Sequence, residues 1–172
     1  MSALIERLTG INGQNGVMDE LDARIIGLLQ SDARLSNREL ARQLAVSPST
    51  CLERVRSLTR RGVIRGYHAD IDPVALNRGV QAMISVQVRP LSREVIDTFK
   101  ASASAMPEVL SVFVLAGGDD FLLHVAVPGL DALHAFLLDR LSKRREVTGF
   151  RSSIIYQQVT DPTPGLLPGA TG

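Results

Sequence analysis

Excess charge, cysteine and aromatic side chains are all scarce in this chain, and each scarcity removes a class of function. The formal net charge is +1 over 172 residues, so any hold on nucleic acid must come from locally concentrated charge. A single cysteine, Cys51, excludes an internal disulfide framework and fits a reducing compartment. It falls on the inward stripe of a helix, where cysteine acts as a small apolar residue and not as a redox sensor. His68, His124 and His134 have no metal-site spacing and no second cysteine to join them, so no metal or cofactor is expected. No stretch approaches the roughly 20 apolar residues of a membrane span. Residues 1–17 also lack a signal peptide's charged start and apolar core. The expectation is a cytoplasmic protein with no membrane partner. Aromatics make up 4%, too few for a sheet that stacks RNA bases.

What remains is ordinary globular material, 45% apolar and 22% charged. Its length suits one domain or two small ones. Gly10, Gly13 and Gly16 mark residues 1–17 as a flexible N-terminal arm. Pro162, Pro164 and Pro168 with three glycines mark 161–172 as a flexible tail. Residues 18–62 read as three helices. Asp19 caps the first, with Glu20 and Asp22 favouring its positive end and Leu21, Ile25, Leu28 and Leu29 at helical spacing. Ser36 or Asn37 caps a short second helix that buries Leu40, Ala41 and Leu44. Ser47-Pro48 starts the third, whose inward stripe is Cys51, Val55 and Leu58 and which Gly62 ends. Val63, Arg65 and Tyr67 then alternate against Ile64, Gly66 and His68 as an extended segment.

Residues 80–160 alternate strand and helix. Ala82, Ile84, Val86 and Val88 alternate as a strand, and Ser92 caps a helix burying Val95, Ile96 and Phe99. Two apolar runs, Val109–Leu115 and Phe121–Val127, flank Gly117-Gly118 as a hairpin. Leu130, Leu133, Leu137 and Leu141 mark a second helix, and Phe150–Val159 a last strand. The order βαββαβ is the ferredoxin-like arrangement, so the fold class is α+β. Its second sheet face is left uncovered, which predicts a homodimer.

The second and third helices have the form of a helix-turn-helix, locked by Leu40, Leu44, Val46, Cys51 and Val55. Five arginines (54, 56, 60, 61 and 65) against Glu53 give a local charge of +4. Ser49, Thr50, Glu53 and Arg54, early in the third helix, are expected to reach base edges of double-stranded DNA. Ser47 caps that helix, and Ser57 completes its outward face. Arg56, Arg60 and Arg61 suit phosphates, as does the second helix's N-terminus at Ser36 and Asn37.

The run S-P-x-x-C-x-x-R-V-x-x-L followed by G-V-I-x-G-Y, within residues 37–73, resembles the winged helix-turn-helix of the leucine-responsive regulatory protein/AsnC (Lrp/AsnC) family of transcriptional regulators. The second region is similar to that family's ligand-sensing (RAM) domain. The resemblance implies operator binding, no enzymatic activity, a hairpin linker over 63–79, and dimers assembling to octamers. It also implies an amino acid or similar effector held between dimers against the loop joining the second and third strands. Here that loop offers Leu115, Gly117, Gly118, Asp119, Asp120 and Phe121. Adjacent glycines let backbone N–H groups approach a carboxylate, and aspartate can receive an ammonium group. The family's G-D-x-D pattern is met by Gly117 and Asp120, with Gly118 at the first aspartate. A plain hairpin turn uses the same residues. A siroheme-decarboxylase-like enzyme on the same scaffold is the alternative, but it needs histidines and arginines in the sheet domain that this chain places elsewhere.

Overall fold

The computed structural model describes residues 18–165 and 167. The expected N-terminal arm and half of the expected tail lie outside them. The chain divides into two compact units. One contains the described residues up to Ala69 together with those from Thr160 onward, and the other is Asp70–Val159.

The first unit is helical. Helix α1 (Glu20–Ser31) starts where the Asp19 carboxylate accepts the Asp22 N–H at 2.8 Å. Helix α2 (Asn37–Leu44) starts at Ser36, whose hydroxyl accepts the Glu39 N–H. Helix α3 (Pro48–Arg60) starts at Ser47, with Pro48 in the first turn where a missing N–H costs no hydrogen bond. Between α2 and α3, Ala45 takes a left-handed conformation with φ 57°. Its strain, about 1–2 kcal/mol, is held by the Val46 N–H bonding back to Ala41. Ile25, Leu40, Ala41, Leu44, Cys51 and Leu58 form one buried cluster that fixes the three helices. Gly62 at φ +72° ends α3, and the Val63 and Ile64 N–H groups bond the Leu58 carbonyl.

That last contact differs from the sequence reading. Val63 and Ile64 pack on the helical cluster, and no strand forms among residues 63–79. The hairpin implied for this stretch is absent, and Pro73–Leu76 makes a single 3-10 turn capped by Asp72. A two-stranded ribbon with nothing to pack on is marginal in water, so alternation alone did not make a strand here.

The second unit is a four-stranded antiparallel sheet in the order β2-β3-β1-β4. The strands are β1 (Val80–Val88), β2 (Val109–Val114), β3 (Phe121–Val127) and β4 (Val147–Ile154). Helix α4 (Arg93–Ser104) and helix α5 (Leu130–Phe136) share one core with β1 and β3. That core holds Ala82, Ile84, Val86 and Val88 with Phe99, Phe121, Leu133 and Phe136, so both helices cover the same sheet face. Two expected elements are shorter than read. The second helix leaves α geometry at Leu137–Leu141, a π turn. The last strand ends at Ile154, and beyond it Tyr156 and Val159 are almost fully exposed. With no neighbour to bury them, apolar residues there do not extend the strand.

Candidate DNA-reading helix and effector loop

Inward burial of Cys51 and Leu58 orients α3 and sorts its polar residues into two sets. Ser49, Glu53, Arg56 and Arg60 recur at helical spacing along one outward stripe, and all four are exposed. At the head of the helix the Ser47 hydroxyl meets those of Ser49 and Thr50 at 2.9 and 2.8 Å. Glu53 and Arg60 pair at 2.8 Å, and that guanidinium holds the Glu53 carboxyl below its ordinary range. Asn37 donates to the Pro48 carbonyl at 2.8 Å, tying the start of α2 to the start of α3. Leu52, 38% exposed beside this stripe, was not singled out in the sequence.

Arg54, Ser57 and Arg61 occupy a second flank and are only half-exposed. Arg54 reaches the first helix, with Nη1 2.5 Å from Asp19 Oδ2 and 3.3 Å from Asp22 Oδ1. Arg61 Nη1 lies 3.2 Å from Asp22 Oδ2. Asp22 is 2% exposed, the one buried charged residue of the described core. Arg54, expected at base edges, and Arg61, expected at phosphates, are thus both engaged by carboxylates of α1 and its cap. A buried carboxylate without a partner is costly, and these two guanidiniums are what neutralise it. Counting Asp19 and Asp22 against them lowers the local excess from +4 to +2. No sequence signal announced the pairing, since α1 and α3 are some thirty residues apart. The Cys51 thiol is pushed up by burial, as befits a core residue.

The loop between β2 and β3 is closed by the Leu115 N–H bonding the Asp120 carbonyl at 2.8 Å. Both of its carboxylates are already engaged. Asp120 Oδ2 accepts the Val88 N–H at 2.8 Å and Arg89 Nη1 at 3.0 Å. Asp119 Oδ2 accepts Arg151 Nη2 at 2.7 Å, and its Oδ1 accepts Gln87 Nε2 at 3.3 Å. Gln87 also donates to the Gly118 carbonyl. Gly117 and Gly118 are exposed with open space where a Cβ would sit, and Leu115 is 40% exposed. Phe121 is corrected: it is fully buried against Phe99, ring centroids 4.5 Å apart, and presents no surface to a ligand. Gln87, Gly149 and Arg151 line a depression of about 160 Å³ beside Asp119. Gln87 and Arg151 were missed, as only strand register brings β1 and β4 to this loop.

The same two units appear in known proteins. Residues 18–65 match the family description "Winged helix-turn-helix DNA-binding", and residues 81–164 match "Lrp/AsnC ligand binding domain". The chain belongs to the Lrp/AsnC family. It is 42% identical over 147 residues to the HTH-type transcriptional regulator AldR of Mycolicibacterium smegmatis, covering 86% of each chain. A transcriptional regulator of Neisseria meningitidis, solved as an L-Met complex, superposes with a TM-score of 0.79 at 36% identity, covering 88% of this chain and 97% of that one. AsnC of E. coli superposes at 0.76 with 26% identity over 84% and 96%. The chain is thus an Lrp/AsnC-type transcriptional regulator with a DNA-binding unit and a ligand-binding unit. Its relatives' names point away from the enzyme alternative. No described helix is long and apolar enough to cross a membrane.

Proposed function

We propose that this regulator reads its operator through the stripe Ser49–Glu53–Arg56–Arg60 of α3 and responds to a small amino acid at the β2–β3 loop. The carrying observation is the stripe itself: four exposed polar residues on one face of a helix capped at Ser47 and fixed by a buried cluster. Early positions, Ser49, Thr50 and Glu53, face base edges, where serine is tolerant and glutamate accepts from cytosine. Arg56 and Arg60 serve phosphates, with Ser36 and Asn37 at the start of α2. Leu52 suits a thymine methyl group.

The effector's carboxylate is received by the open backbone at Gly117 and Gly118. Asp119 and Asp120 shape the loop from within, since Arg151 and Arg89 already hold them. The bound amino acid of the Neisseria relative favours this ligand class. The uncovered sheet face carries Met83 and Leu122 opposite the helices, which favours a homodimer, and dimers assemble further to an octamer. A dimer reads a roughly palindromic operator in the cytoplasm. Selection of binding sites from random duplexes tests the first half: enrichment of a two-fold-symmetric motif supports it, and no enrichment over bulk DNA overturns it. A thermal-shift screen of the amino acids tests the second. A true effector at a hundred times its Kd adds about 2.7 kcal/mol, and a flat screen removes the amino-acid reading.

A further inference from the structure

A cavity of the helical unit lies apart from the α3 stripe. It is a groove of about 560 Å³ between the later part of α1 and the segment after α3, lined by Ile26, Leu29, Ala33, Val63, Ile64 and Tyr67. Its apolar walls are only partly buried, and Tyr67 is 51% exposed. A surface of this kind calls for an occupant.

The chain's own C-terminal segment supplies one. The described residues from Thr160 onward go with the helical unit and not with the sheet they follow. The Pro164 carbonyl accepts Gln30 Nε2 at 3.3 Å, and Gln30 stands on the groove wall. Upstream, Asp161 Oδ1 accepts the Thr163 N–H at 2.9 Å, which sets a bend before the contact. The sequence Asp161-Pro-Thr-Pro-Gly-Leu-Leu-Pro168 combines proline with two leucines. Such segments are pre-set toward polyproline II and dock in aromatic-lined grooves at low entropic cost. Leu167 is 80% exposed where it stands, so its apolar surface is still to be covered. Charge agrees as well, since Arg65 lines the groove and Asp161 brings a carboxylate.

We propose that this groove is the docking site of the chain's own stretch through Pro164 and Leu167, with Leu167 entering between Tyr67 and the α1 side chains. Chain connectivity gives the docking a consequence. β4 of the ligand-binding unit ends at Ile154, so the docked segment follows that unit directly in the chain and is held to the DNA-binding helices non-covalently. A short tether also makes the local concentration of the segment of millimolar order, so a weak contact is enough to populate it.

Hydrogen exchange on the full-length chain tests this without reference to DNA or effector. In the Pro164→Gly/Leu167→Ser double variant, amides of residues 64–68 and of the last turns of α1 should exchange roughly threefold faster or more. A synthetic Thr160–Gly172 peptide added to that variant should restore the slow exchange. Unchanged rates in the variant overturn the proposal. Protection that rises with protein concentration also overturns it, because the groove is then covered by a second copy.

Discussion

Replacing Arg54 separates two roles that α3 could give an arginine. Its guanidinium is tied to Asp19 and to the buried Asp22, with Arg61 sharing the second carboxylate oxygen. Breaking a fully buried pair costs about 3–5 kcal/mol, whereas an exposed pair is worth about 0–1. This cluster lies between those limits: the Asp22 side chain is 3% exposed, Arg61 23% and Arg54 39%. Arg54→Ala leaves Asp22 held by Arg61, so the expected loss is about 1 kcal/mol. Asp22→Ala strands two partly hydrated cations and removes a carboxylate from the first turn of α1, for about 2 kcal/mol in all. Because the groups touch, the double variant should lose about 0.5–1 kcal/mol less than the sum. In a unit of this size 1 kcal/mol moves Tm by about 4–8 °C, so circular-dichroism melts of the full-length protein resolve each step. DNA anisotropy should show Arg54→Ala weakening operator and random duplex by the same small factor. A melt unchanged by Arg54→Ala, with operator affinity down tenfold and random-DNA affinity intact, would refute the structural assignment.

Other expectations follow from the same geometry. Arg60→Ala should weaken binding to every sequence and reduce the slope of log K against log salt by about 0.9, as measured by anisotropy across a salt series. Glu53→Ala frees Arg60 and should raise affinity for random DNA while blurring one operator position in a base-substitution panel. Asp120→Ala leaves the Val88 N–H without its acceptor and Arg89 with only the Val88 carbonyl. It should cost the ligand-binding unit about 1–3 kcal/mol before any effector is added, which apo melts against Asp119→Ala will show. Asp19 is held below the usual carboxylate range first by the Asp22 N–H and then by Arg54. Its contribution is thus present above the unfolded value near about 3.9 and lost as pH falls through the lower folded value, so melts from pH 7 to 3 should separate wild type from Asp19→Asn only above that window.

The three helices were legible because each carries its own signals within a few residues. Asp19, Ser36 and Ser47 cap as their positions suggest, and the stripe at Cys51 and Leu58 is inward. The alternation of Ala82, Ile84, Val86 and Val88 likewise marked the buried face of β1. What failed were segments whose outcome depends on a neighbour. Val63–His68 alternates like a strand, yet Val63 and Ile64 find the helical cluster first. Phe150–Val159 is apolar enough for a strand, but pairing with β1 stops at Ile154. The ion pairs of Arg54 were illegible for the same reason, since a helical wheel places its Cα but not the carboxylate thirty residues upstream that attracts its head group.

Dependence on neighbours is strongest at the β2–β3 loop. Read as sequence, two aspartates beside two glycines offer one group for an ammonium and another for a carboxylate. Folded, strand register brings Arg151 and Gln87 to Asp119, and the end of β1 brings Arg89 and the Val88 N–H to Asp120. The loop is then neutral by its own pairings, and the backbone N–H groups of Gly117 and Gly118 are open to a ligand. A ligand gains most where a group is not already satisfied, since displacing an internal partner returns the free energy that partner supplied. Under the proposed effector reading, discrimination among amino acids depends on whether a side chain can draw Arg151, 73% exposed, away from Asp119. Arg151→Lys keeps the charge but loses the planar fork. It should leave apo stability nearly unchanged, because the pair is exposed on one side, while shifting the rank order of effectors in the thermal-shift screen. An unchanged rank order would place the discriminating contacts on the backbone alone.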